Sequence, residues 1–142
     1  MRLLIAALAD YANIATGDKL NLSGVFDIIW VRQFPSVHPL MVLALRMQFE
    51  WEDGGKSHTL QVIVQDQDGK QYANAAANIG LGPIEPGKRI VANQILTFQN
   101  IQLVRPNQIA FRILWDGEEQ QRVLLTIEPI PPQPPQPTPP HA

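Results

Sequence analysis

The chain has 142 residues, 45% of them hydrophobic, with 11 basic residues against 13 acidic, a formal net charge of -2 and no cysteine. This excludes a disulfide framework, a cysteine-ligated metal site, a thiol nucleophile and a basic field for nucleic acid. Charged residues make up only 17%, and 14 Gln and 7 Asn stand in for them, so the polar surface is rich in amides.

The N-terminal apolar run is Leu3 to Ala9, and Asp10 interrupts it. Seven residues cannot cross a bilayer, which takes about 20, and a secretory signal needs a longer apolar centre. With Arg2 following Met1, the expectation is an unprocessed cytoplasmic protein without a membrane span. Residues 1–15 suit helix by their alanines and a buried strand by the shortness of the run. Leu20 to Val31 (LNLSGVFDIIWV) is β-branched and aromatic, and apolar on both faces toward its end. It reads as a central strand covered on both sides, with Gly24 marking a bulge. Pro35 and Pro39 then bracket a loop, FPSVHP.

Met41, Leu43, Leu45, Met47, Phe49 and Trp51 alternate with Val42, Ala44, Arg46, Gln48 and Glu50, a period of two that turns polar at its far end and predicts a strand with Phe49 and Trp51 in the core. Leu60, Val62 and Val64 repeat the pattern. Residues 71–79 (QYANAAANI) read as a further strand, and glycines and prolines between Gly80 and Gly87 mark a long loop. Ile109, Phe111, Ile113 and Trp115 alternate again, as do Val123, Leu125 and Ile127. Asp53-Gly54-Gly55, Asp68-Gly69 and Asp116-Gly117 fall between these runs where hairpin turns belong. About seven strands at this spacing predict one all-β domain over residues 1–128. It would be a single antiparallel β-sandwich, immunoglobulin-like or a related Greek key. Residues 129–142 hold eight prolines in 14 positions, a tail expected to be polyproline II or disordered and to form neither helix nor sheet.

Three segments carry a likeness: Ala9-Asp10-Tyr11-Ala12-Asn13, then Gly17 to Asp27 (GDKLNLSGVFD), then Phe34-Pro35-Ser36-Val37-His38-Pro39. The chain resembles a family of small, functionally uncharacterised bacterial proteins with ADYAN, GKLNI-x-GIFD and FP-x-x-HP segments. Asn93-Gln94-Ile95-Leu96 and the closing strand–Asp-Gly–strand hairpin fit as well. The resemblance spans most of residues 3–128 and implies a cytoplasmic β-sandwich with no assigned activity, so it transfers no functional residue.

Residue chemistry offers few candidates. Asp66-Gln67-Asp68-Gly69-Lys70 opens like a calcium loop but puts Lys70 at the fifth position and Ala77 at the twelfth, so it reads as a hairpin turn. His38 could meet Asp10 or Asp27 in space as an acid–base pair. Asp10 and Asp27 interrupt apolar strands and should each be paired, with Arg32 or Arg46 as partners, or lie at a strand end. These three residues are the ligand-binding candidates; no metal site, cofactor motif or nucleophile motif is present in the sequence. The tail prolines Pro131, Pro132, Pro134, Pro135, Pro137, Pro139 and Pro140 are the candidate partner-binding residues. The leading expectation is a non-enzymatic interaction or assembly module that binds a protein partner or itself through the tail or a sheet edge. The alternatives are a small-ligand or carbohydrate-binding sandwich using exposed tryptophans, and an enzyme built on His38 with Asp10 or Asp27.

Overall fold

A computed structural model describes residues 1–132 and 137–140. Among the described residues nine strands build two sheets packed face to face: β1 (Arg2–Ala15), β2 (Lys19–Val25), β3 (Ile28–Val31), β4 (Ser36–Phe49), β5 (Ser57–Asp66), β6 (Gln71–Gly80), β7 (Ile90–Leu103), β8 (Asn107–Trp115) and β9 (Glu118–Pro129). The first sheet runs β2-β1-β4-β7 and the second β3-β9-β8-β5-β6. The all-β sandwich expected from the alternation is therefore present, with two strands more than the pattern suggested.

Period-two alternation explains the core. On β4 the inward residues Met41, Leu43, Leu45, Met47 and Phe49 are all buried, and they face Leu60, Val62 and Val64 of β5 and Ile109, Phe111 and Ile113 of β8 across the interface. Phe98 of β7 meets Phe111 edge-on, with ring centroids 5.3 Å apart. Fully burying one such side chain is worth about 1.5–3 kcal/mol.

Three local readings change. Leu20 to Val31 is not one central strand. The chain leaves the first sheet after Val25 and enters the second at Ile28, so β2 and β3 are edge strands of different sheets. The more buried positions switch from Leu20 and Leu22 to Ile29 and Val31, and this change of phase looks like apolarity on both faces. Because β3 enters beside the last strand, it pairs with β9 in parallel, unlike the other strand pairs of the described residues. The FPSVHP segment is loop only at its start, since β4 begins at Ser36 and includes His38 and Pro39. Pairing also reaches into the tail: Val31 stands opposite Pro129, and the Ile130 N–H donates to the Val31 carbonyl at 3.0 Å.

The β1–β2 hairpin is bent. β1 pairs with β4 only as far as Ala9 and with β2 alone beyond it. Yet the Asp18 carbonyl at its tip accepts hydrogen bonds from Arg46 on β4 (3.2 Å) and Asn93 on β7 (2.8 Å). Arg46 stands opposite Ile5, and a straight hairpin would carry Asp18 about 40 Å from it, at about 3.3 Å per residue. The hairpin therefore folds back across the outer face of the first sheet. This accounts for the burial of Ala9, Val42 and Ala44 on the side away from the core. Gly24 lies at the bend with φ +70, and a Cβ there would sit 2.4 Å from the Asp10 carboxylate.

Candidate functional site

The bend brings two of the three ligand-binding candidates together. Asp10, Gly24, Val25, Phe26, Ile28, Ile29 and His38 line a cleft of about 260 Å³. His38 packs at a tilt against Phe26, with ring centroids 6.1 Å apart. Asp27 does not join them; its backbone carbonyl accepts the Thr126 N–H, and its side chain is exposed. Asp10 and Asp27 are both exposed, and among the described residues neither forms an ion pair. Arg46, expected as a partner, is taken by Asp18 and Asn93. Exposure removes the need for pairing, because a carboxylate in water carries no desolvation cost. No hydrogen bond joins Asp10 to His38 among the described residues, and these residues include no cluster of three metal-ligating side chains.

The tryptophans divide. Trp115 is buried as the alternation required, but Trp51 is 59% exposed and Trp30 is 54% exposed. Trp51 leaves the pattern because β4 stops at Phe49 and the chain turns through a short 3-10 helix, Trp51–Asp53, to reach the other sheet. The Asp53-Gly54-Gly55 segment is thus a crossover between sheets, not a hairpin turn. Asp68-Gly69 and Asp116-Gly117 do close hairpins, the latter with positive φ at both residues.

Sequence reasoning missed the polar centre at this crossover. His58 is buried, its ring stacked on Trp115 with centroids 4.7 Å apart. Its Nδ1 lies 2.6 Å from the Asp116 carboxylate and its Nε2 lies 2.8 Å from the Asp53 carbonyl. The Asp116 carboxylate raises the His58 pKa against the opposing effect of burial, and the Asp53 carbonyl adds to the rise. The same pair holds Asp116 below the ordinary carboxylate value, helped by the Thr59 N–H. Burial pushes the Asp53 carboxyl up, but the Glu50 N–H and the Met1 ammonium, 3.1 Å away, leave it lowered overall. His58 shares the parity of Leu60, Val62 and Val64, and that parity was the available sign of its burial.

The sheet edges differ sharply. β6 and β7 end their sheets on the same side of the sandwich. Neither the ten residues of β6 nor the fourteen of β7 include a charged residue or a proline. The opposite edges are guarded: β3 has only four residues between Asp27 and Arg32, and β2 carries Lys19 and Gly24. Of the tail candidates, Pro131, Pro132, Pro137, Pro139 and Pro140 are exposed, while Pro134 and Pro135 lie outside the described residues. Among the described residues no helix is long and apolar enough to cross a membrane.

The family model of a family of unknown function, DUF6941, matches residues 4–128, and the chain belongs to that family. No curated protein matches the chain.

Proposed function

We propose that this domain is a non-enzymatic assembly module whose open edge, strand β7, pairs with β7 of a second copy. The observation that carries the reading is the contrast between edges. An unpaired strand presents a row of free N–H and C=O groups, and proteins normally blunt it with charge, proline, bulges or short length. β3 and β2 follow that rule, whereas β7 has fourteen residues, no charge and no proline. Antiparallel pairing of β7 with itself across a two-fold axis is self-complementary and closes as a dimer. The small net charge of -2 adds little repulsion between copies. The proline tail is a second, separate contact segment: it lacks the donors needed to pair with an edge but suits an aromatic-lined groove.

The test is light scattering across a wide concentration range. Three proteins are compared: the full chain, a Thr97→Lys, Gln99→Lys double variant, and a chain lacking residues 133–142. Both substituted side chains are exposed on β7, so the fold tolerates them. A dimer in the full chain and in the shortened chain, and a monomer in the double variant, is the expected result. A monomer in all three overturns the reading.

A further inference from the structure

The cleft beside Trp51 holds about 560 Å³, within the roughly 300–1,000 Å³ of small-ligand sites. Trp51 forms one wall; Glu50 and Glu52 stand beside it, and Pro86, Gly87, Lys88 and Arg89 form the other wall. A second hollow of about 320 Å³ lies against Trp51, bounded by Glu52, Gly54 and Lys56. We infer that this is a carbohydrate site, in which the exposed indole of Trp51 stacks on the ring of a neutral saccharide.

Three features point to that chemistry. An indole 59% exposed at the mouth of a cleft offers a flat apolar face to the C–H groups of a sugar ring. Acceptors and donors line the cleft together: two carboxylates, one ammonium and one guanidinium. Among the described residues none of these four forms an ion pair, and only Glu50 has a side-chain partner, Gln48 at 3.4 Å. Charges of both signs, unpaired and balanced, suit a ligand whose hydroxyls both donate and accept and which has no net charge. A phosphorylated or strongly cationic ligand would meet repulsion from one pair or the other.

The turn that carries Trp51 is also tied to the start of the loop that leads to the second wall. The Gly55 N–H donates to the Gly82 carbonyl at 3.0 Å and the Leu81 N–H to the Lys56 carbonyl at 2.9 Å, joining the turn to the facing loop. Ile84 is buried under that loop, and a Cβ on Gly54 would lie 2.6 Å from the Ile84 nitrogen, so the two segments meet at backbone distance. The Asp53 carboxylate receives the Glu50 N–H at 2.9 Å and so holds the turn that presents Trp51. A site rigid in its binding geometry loses less conformational entropy when it is filled.

The experiment is an NMR titration of the indole N–H signals of the full chain with gluco-, malto-, cello-, xylo- and chito-oligosaccharides. The expected result is a saturable shift of the Trp51 indole with at least one neutral saccharide, at a midpoint of about 1 mM or below. Trp115 and Trp30 signals should stay in place. Trp51→Ala should weaken binding at least tenfold with an unchanged melting temperature, and Trp30→Ala should leave binding intact. Glu52→Gln should weaken binding while keeping the stacking shift. No shift with any saccharide, or a shift at Trp30 in place of Trp51, overturns the inference.

Discussion

His58 and Asp116 meet at 2.6 Å across the seam between β5 and the β8–β9 turn, with the imidazole lying flat on Trp115. Both ring nitrogens face oxygen acceptors, Asp116 on one side and the Asp53 carbonyl on the other. This arrangement favours the doubly protonated ring, so the folded-state pKa of His58 lies above its ordinary 6.5. The sign of the linkage follows: stabilisation from His58 is complete below about 6.5 and is lost as pH rises through the folded-state value. Asp116 acts in the opposite window, stabilising above its ordinary 3.8 and losing that contribution as pH falls through its lowered pKa. The stacked ring reports its own charge through Trp115. In a Trp30→Phe, Trp51→Phe background, indole emission should titrate with a midpoint above 6.5, and His58→Gln should remove the step. A midpoint at or below 6.5 contradicts the geometry.

The bend at Gly24 makes a prediction about shape. Gly24→Ala places a methyl group 2.4 Å from the Asp10 carboxylate and forces a side chain into φ +70. The loss should be about 1–3 kcal/mol by chemical denaturation, in the range of a strained backbone position. Adding Asp10→Ala should recover the steric part and leave the conformational part. If Gly24→Ala is as stable as the natural chain, the hairpin does not turn there.

The tip of the folded-back hairpin is tied down at the Asp18 carbonyl. With Asp18 bonded to Arg46 and Asn93, an Arg46→Ala, Asn93→Ala double variant should free the tip while the sandwich stays folded. Trypsin should then cut after Lys19 several-fold faster, with little change in melting temperature, because local opening needs less free energy than global unfolding. Equal cleavage rates would show that the tip needs neither side chain.

Where one phase of alternation persisted, the strands were legible: β4, β5, β8 and β9 were read from it, and their inward residues form the buried core. Where the phase changes, the reading failed. β7 breaks the alternation because its apolar residues shift from Leu96 and Phe98 to Ile101 and Leu103 around Asn100, which has a positive φ of 54. Leu20 to Val31 merged two strands for a similar reason. Trp51 continued a pattern that the backbone had already left. Of the candidate site, Asp10 and His38 line one cleft, and no hydrogen bond joins them among the described residues. The cleft of Glu50, Trp51, Lys88 and Arg89 was not legible, since a crossover turn and a distant loop build it. Edge exposure was illegible too: which strands end a sheet is a property of topology, not of the strand's own residues.

Pairing of β7 with a second copy should be visible by hydrogen–deuterium exchange at two protein concentrations. Exchange within residues 90–103 should slow several-fold as concentration rises, while β2, the opposite edge of the same sheet, exchanges at one rate throughout. The Thr97→Lys, Gln99→Lys variant should show no such slowing. Identical exchange of residues 90–103 in the natural chain at both concentrations would mean that β7 does not pair with a second copy.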